Sequence, residues 1–210
     1  MSYEQEVDIM MGVATVGKNY SSIFTHGYCF GNIKEFQIDY SEFSTMCEMV
    51  RNTIGDKDRN FTYCDTMALR NYILKKQYHE NIYEYFRGIS LQIMQEIVPE
   101  YNYIPTQKGH FGDLLALMEE RGFSAPHKDG DAGDLTLLIY LSDPDCYNES
   151  GNLTLLDNKG QKLNVETSIP VEGNYTIIET KTHNIAHKIE KIYGDFKRLA
   201  YVARIKRGTQ

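Results

Sequence analysis

The stretch IAHKIEKIYGDFKRLAYVARI, residues 185–205, decides the fold. It holds two short runs separated by Tyr193-Gly194-Asp195. In the first run Ile185, His187 and Ile189 fall on one face, and Lys188 and Glu190 on the other, the period-two pattern of a strand. In the second, Arg198, Ala200 and Val202 share one face and Leu199, Tyr201, Ala203 and Ile205 the other. Both faces of that second strand are apolar, so both need cover, and it belongs inside a layered structure. The spacing predicts an antiparallel hairpin with Arg198 on the strand beside His187 and nearer the turn.

Upstream the same texture continues. LLALMEE (114–120), LTLLIYLS (135–142), NLTLLD (152–157), KLNVETSI (162–169) and NYTIIET (174–180) are further runs of strand length. Gly122, Gly130, Gly133, Asp143-Pro144-Asp145, Gly151, Gly160 and Gly173 separate them. Short strands and turn signals at this density predict a sandwich or barrel over residues 105–206. The first 100 residues read as mainly helical support. GNIKEFQIDY (31–40) alternates loosely, as a strand would. Ser41 then precedes Phe43, Met46, Cys47, Val50 and Ile54 at helical spacing, with Gly55 as a stop. Residues 66–98 predict one long or broken helix: Ile82, Phe86, Ile89, Ile93 and Ile97 recur every three or four residues, Gly88 is a candidate break, and Pro99 ends the pattern. Helices first and strands after give an α+β fold, a single domain over residues 1–210, with the helices buttressing one face.

Composition narrows the function. A net charge of −7 argues against non-specific attraction to nucleic acid or anionic lipid. Lys197, Arg198, Arg204, Lys206 and Arg207 form the notable basic cluster, either a solvated strand end or a phosphate patch. Cys29, Cys47, Cys64 and Cys146 include no C-x-x-C pair, which suits free thiols in a reducing compartment. The opening MSYEQEVDIM carries acids where a secretory signal would carry bases, and no apolar run approaches the roughly 20 residues of a membrane span. A cytoplasmic protein is expected.

The chemistry-bearing residues are His127-Lys128-Asp129, His187 and Arg198. At the start of a strand, residues one and three point the same way, so His127 and Asp129 can reach one ion while Lys128 faces away. Two imidazoles and one carboxylate are the donor set that leaves one face of an octahedral metal open. His187, among inward aliphatic residues, is either a ligand or a hydrogen-bonded core histidine. An inward Arg198 needs an anion, because an unpaired buried charge is costly. That anion is a bound carboxylate or an internal Asp or Glu, and the residues alone leave both open. Tyr140, at the end of its strand, is placed to reach the same anion. His183, four residues before His187, is a rival ligand or a pocket residue.

Over about residues 110–206 the chain resembles the Fe(II)- and 2-oxoglutarate-dependent dioxygenases, particularly the prolyl-4-hydroxylase-like branch. The resemblance lies in His127-Lys128-Asp129, IYLS followed by Gly151-Asn152-Leu153, Pro170-x-x-Gly173, and His187-Lys188-Ile189 with Arg198. Ser150-Gly151 stands where relatives carry Gly-Gly. The resemblance implies a double-stranded β-helix, a jelly-roll or cupin-like barrel of two sheets. It implies His127, Asp129 and His187 as Fe(II) ligands, and Arg198 with Tyr140 as the 2-oxoglutarate site. It implies hydroxylation of a substrate with O2 as co-substrate and release of succinate and CO2. A peptide or free amino acid, including a prolyl residue, is the substrate class it favours. The rivals are a non-catalytic barrel, a Zn- or Mn-using cupin-like protein, and a nucleobase-oxidising relative. Residues 1–30, with Tyr20, Phe24, Tyr28 and Phe30, are a candidate flap, and the loops at 103–112 and 143–151 are candidate lids.

Overall fold

Among the described residues, ten strands and two α-helices form two facing sheets with a helical layer behind the larger one. The structure is a computed structural model and describes residues 26–33, 40–53, 61–65, 82–97, 103–105, 113–130, 133–157, 159–163, 168–183 and 185–207. In chain order the elements are β1 Tyr28–Asn32, α1 Tyr40–Thr53, β2 Phe61–Asp65, α2 Ile82–Ile97, β3 Tyr103–Pro105, β4 Leu114–Met118, β5 Ser124–His127, β6 Leu135–Tyr140, β7 Leu153–Leu156, β8 Asn174–Glu179, β9 Ala186–Ile189 and β10 Arg198–Arg207. The major sheet runs β1-β8-β6-β10-β4-β2, with β3 also on β10, and the minor sheet runs β5-β9-β7. Every pairing is antiparallel.

The two-faced reading of β10 is borne out. Leu199, Tyr201, Ala203 and Ile205 pack with Met46, Met49 and Val50 of α1 and with Phe86, Ile93 and Ile97 of α2. Ala200 and Val202 face the barrel interior with Leu138, Tyr140, Leu153, Leu155 and Ile178. Burial of this kind stabilises by about 25 cal/mol per Å² of apolar surface, so a strand buried on both faces contributes on both.

Several local expectations change. The 185–205 hairpin does not form: β9 pairs with β5 and β7, whereas β10 pairs with β6, β4 and β3. The segment between them crosses from one sheet to the other. Ile192 and Phe196, buried against Met118, fill that crossing. A solvent turn would not bury an isoleucine and a phenylalanine, and that is the physical signal against a tight hairpin. KLNVETSI makes only single bridges, Lys162 to Leu156 and Ser168 to Leu153, and residues 164–167 lie outside the described residues. Helix α1 already begins at Tyr40, so Ser41 lies inside it, and Gly55 is outside the described residues. Of the helix expected over 66–98, residues 82–97 are helical, unbroken at Gly88, and residues 66–81 are not described. The loose alternation of 31–40 marks only the end of β1; residues 34–39 are not described. The N-terminal half also supplies β1 and β2, opposite edges of the major sheet.

Register arranges the inner face of the major sheet in tiers about 7 Å apart, two residues each. Tyr28, Ile178, Thr136 and Arg204 are mutually opposite across β1, β8, β6 and β10. Phe30, Thr176, Leu138 and Val202 make the next tier. Tyr140 with Ala200 lies deeper, and Arg198 ends the strand.

Candidate metal centre and anion cradle

His127 and His187 are directly opposed in the β5–β9 pair, with ring centroids 4.3 Å apart. Strand β5 ends at His127, so Asp129 is not a third strand residue as expected; it follows in a turn at Gly130, whose φ is +64°. Asp129 still reaches the imidazoles. His127 Nε2 is 3.8 Å from Asp129 Oδ1, and His187 Nε2 is 3.9 Å from Asp129 Oδ2. One donor atom from each of the three residues lies within 4.8 Å of the others. The side chains of His187 and Asp129 are nearly buried, whereas that of His127 is 42% exposed, so the cluster opens on the His127 side.

Backbone carbonyls set the rings. His127 Nδ1 lies 2.9 Å from the Ala125 carbonyl and His187 Nδ1 3.3 Å from the Ile185 carbonyl. In each ring an Nδ1–H donor leaves the Nε2 lone pair for a metal. Burial pushes the His187 imidazole below its ordinary pKa, against the opposing pull of Asp129, and so favours the neutral ring that ligation requires.

Asp129 has partners that sequence reading missed. Arg204 grips it with two bonds, Nη1 to Oδ2 at 3.0 Å and Nη2 to Oδ1 at 3.1 Å, and the Thr136 hydroxyl donates to Oδ2 at 2.8 Å. Burial alone would raise this carboxyl; Arg204 first, then His187, Thr136 and His127, hold it below the usual aspartate value. The signal was present: Arg204 continues the inward phase of Arg198, Ala200 and Val202. The expected basic cluster therefore does not form, since two of its members point into the barrel.

Arg198 is 1% exposed. Its Nε donates to the Gly151 carbonyl at 3.0 Å, and its guanidinium carbon lies 5.2 Å from the centre of the Tyr140 ring. Among the described residues no carboxylate accompanies it, and Nη2 has no hydrogen-bond partner. Burial works against its charge, with only Tyr140 in opposition. The Tyr140 hydroxyl meets Thr176 Oγ1 and Ser168 Oγ, each at 3.1 Å, and these two hydroxyls are 2.5 Å apart. Ser168 and Thr176 also escaped the sequence reading, because hydroxyl residues in strands carry no positional signature. A Cβ on Gly151 would come within 3.4 Å of Arg198 Cδ and 3.0 Å of Ile192, and φ is +71° there. Glycine thus lets this carbonyl approach the guanidinium.

These residues fit a metal and an anion: a two-nitrogen, one-carboxylate donor set, and below it a buried cation with an orphaned N–H. His183 stands apart from the metal cluster. Its Nδ1 is 3.3 Å from Glu179, whose carboxylate also takes the backbone N–H groups of Lys181, Thr182 and His183. Of the candidate lids, the 143–151 loop lies at the Arg198 end, tied to Tyr193 through Asn148 and Ser150, while β3 pairs with β10 and residues 106–112 are not described. Of the candidate flap, Tyr28 and Phe30 belong to β1, and residues 1–25 lie outside the described residues. No helix among the described residues is long and apolar enough to cross a membrane.

No family model matches the chain, and no curated protein matches it. Solved structures do. A prolyl-4-hydroxylase from Pseudomonas putida aligns over 90% of this chain and 97% of its own at 15% identity, with a TM-score of 0.52. An oxidoreductase of the 2OG-Fe(II) oxygenase family from Burkholderia pseudomallei aligns over 89% and 87% at 9% identity, with a TM-score of 0.55. A prolyl hydroxylase from Trichoplax adhaerens, in complex with a hypoxia inducible factor peptide fragment, aligns over 88% and 86% at 15% identity, with a TM-score of 0.53. The chain shares their fold, the double-stranded β-helix.

Proposed function

We propose that the protein is an Fe(II)- and 2-oxoglutarate-dependent dioxygenase that hydroxylates an amino-acid or peptide substrate. One observation carries the reading: the ligating atoms of His127, Asp129 and His187 converge in a barrel whose deeper tiers hold the buried Arg198 guanidinium, with no carboxylate paired to it among the described residues. A barrel without a ligand has no use for such a cation, since its desolvation is not offset. A metal protein without a keto acid has no need of it either. The prolyl hydroxylases and the 2OG-Fe(II) oxygenase that share the fold support the same class.

His127, Asp129 and His187 would hold the iron, which when bound supplies the oxidative chemistry that couples O2 to keto-acid decarboxylation. The chain's own tasks are positioning and exclusion of water. The carbonyls of Ala125 and Ile185 fix both imidazoles. Arg204 and Thr136 fix the Asp129 carboxylate and moderate its charge. Arg198, oriented by Gly151, would take the far carboxylate of 2-oxoglutarate, with the Tyr140 hydroxyl beside it. Leu138, Leu155, Ile178 and Val202 keep the interior apolar, which strengthens each polar contact within it. The free Cys29, Cys47 and Cys146 suit a reducing, cytoplasmic setting. The test is succinate release from 2-oxoglutarate with Fe(II): the wild-type chain turns over and His127→Ala does not. Wild-type rates in that variant would overturn the assignment.

A further inference from the structure

Three buried hydroxyls, those of Tyr140, Ser168 and Thr176, close on one another beside Arg198. Tyr140 lies on β6 and Thr176 on β8, both in the major sheet. Thr176 is opposite Leu138, one tier nearer the Thr136 and Arg204 tier that holds Asp129. The Tyr140 hydroxyl therefore reaches back along β6 to meet Thr176. Ser168 comes from the minor-sheet side, where the Leu153 N–H of β7 donates to its carbonyl at 3.2 Å. The hydroxyls thus join the two sheets across the barrel interior.

Proton counting fixes the direction of this ring. Each hydroxyl owns one proton and can accept from two sides. Ser168 Oγ donates to the Tyr140 oxygen at 3.1 Å. Its proton is then spent, so the 2.5 Å contact between Ser168 and Thr176 is a donation from Thr176. The Thr176 proton is spent in turn, so the 3.1 Å contact with Tyr140 is a donation from the phenol. Each hydroxyl donates once and accepts once. The phenol proton is held by Thr176 while the Tyr140 ring lies against the Arg198 guanidinium. For a carboxylate beside Arg198 to take that proton, the bond to Thr176 must break. The ring then opens into a chain: Thr176 donates to Ser168, Ser168 to Tyr140, and Tyr140 to the carboxylate. One neutral hydrogen bond is exchanged for a charge-assisted one, about twice as strong, and the net gain is only the difference. With Ser168 or Thr176 gone, the two remaining hydroxyls share one bond and a proton is left over. The carboxylate then gains a donor while no bond in the protein breaks.

We propose that Ser168 and Thr176 are positioning residues for the co-substrate that act through Tyr140, holding its phenol proton in a closed ring until a carboxylate at Arg198 takes it. This role rests on the reading of the Arg198 cradle as the 2-oxoglutarate site. The ring satisfies a buried phenol while the cradle is empty, where an unmade bond would be costly. It also lowers the grip on any carboxylate in the cradle, the departing one included. The expected sign is the reverse of what two supporting residues would give: removing either hydroxyl tightens binding.

The test is calorimetric titration of the intact, Mn(II)-loaded chain with 2-oxoglutarate, which reads binding without turnover. Thr176→Val and Ser168→Ala should each lower the dissociation constant by about fivefold, the worth of one neutral hydrogen bond. Thr176→Ser restores the hydroxyl and should bind as the wild type does. Tyr140→Phe should bind about fivefold more weakly, having lost the charge-assisted bond. Adding Thr176→Val or Ser168→Ala to Tyr140→Phe should change nothing, because the proton they act on is gone. 2-Oxopentanoate, the same keto acid with a methyl in place of the far carboxylate, should bind all these chains alike. Cooperative thermal melting establishes that each variant is folded before it is titrated. Weaker or unchanged 2-oxoglutarate binding in either folded variant, Thr176→Val or Ser168→Ala, overturns the proposal. So does the same tightening in the Tyr140→Phe background or toward 2-oxopentanoate, or Tyr140→Phe binding as well as the wild type. A wild-type chain that takes up no 2-oxoglutarate with Mn(II) overturns the oxygenase reading itself, and the proposal with it.

Discussion

Two arginines point inward from β10, six residues apart, and they live in opposite electrostatic worlds. Arg204 meets a carboxylate through two bonds and shares it with Thr136. Arg198 is more deeply buried and meets a carbonyl, an aromatic face and an orphaned N–H. Internal pairing is the ordinary fate of a buried arginine, and Arg204 follows it. Arg198 departs from it, and the proposed 2-oxoglutarate role gives that departure a reason. Under the proposed function, the contrast separates a residue that shapes the apo protein from one whose partner is the co-substrate.

Removing Arg204 should have the largest effect on stability. Arg204→Met leaves Asp129 buried with Thr136 and the two imidazoles but without its guanidinium partner, a loss of about 3–5 kcal/mol by the usual cost of breaking one side of a buried pair. Urea unfolding of the metal-free protein measures it. Adding Asp129→Asn to Arg204→Met should recover much of the loss, and the four-way comparison isolates the pair. Equal midpoints for wild type and Arg204→Met would show that the pair carries no weight and the contrast is empty.

The ligand should reverse the ranking. At 2-oxoglutarate a hundredfold above its dissociation constant, the Mn(II)-loaded wild-type chain should gain about 2.7 kcal/mol over the ligand-free form. Arg198→Met should lose most of that gain and should raise the 2-oxoglutarate KM more than it lowers kcat. An Arg198→Met protein as well protected by 2-oxoglutarate as the wild type would remove Arg198 from its role.

Much of this was legible in the residues, and the failures share a cause. The two faces of β10 showed because alternation is local, and Ile185, His187 and Ile189 were placed for the same reason. The metal donors were legible by type and order. Their geometry was not, because Asp129 lies beyond β5 and is held by Arg204, 75 positions away. Sequence neighbours do not record which strands of a barrel become spatial neighbours. The same ignorance produced the false hairpin: a short gap between two strands looks like a turn unless the burial of Ile192 and Phe196 is known. The anion cradle was half visible, since an inward arginine has a charge signature and the hydroxyls of Ser168 and Thr176 have none.

Acid should narrow the first contrast. Arg204 and its neighbours hold the Asp129 carboxyl below its ordinary value of 3.8, so the unfolded chain takes up a proton there before the folded one does. The stability contributed by the charged carboxylate is therefore fully present above pH 3.8 and is lost as the pH falls through the lower folded value. The gap between wild type and Arg204→Met should hold steady from pH 7 to 5 and shrink below 3.8, as read by urea midpoints across the series. A gap that stays constant through that acid range would mean that Asp129 is not what Arg204 stabilises.

The smallest effect is the most telling. Without ligand, Arg198→Met should change stability by no more than about 1 kcal/mol, and a gain is as consistent as a loss, because a methionine fills the volume while the desolvation of an unpaired cation disappears. What the substitution gives up is the Nε bond to the Gly151 carbonyl and the stacking on Tyr140, each about 1 kcal/mol. Those losses and the relieved burial oppose one another. A drop of the size expected for Arg204→Met would show instead that Arg198 is a structural cation with a partner of its own. Near-neutrality in the absence of 2-oxoglutarate, joined to lost protection in its presence, is the signature of a charge kept for a ligand.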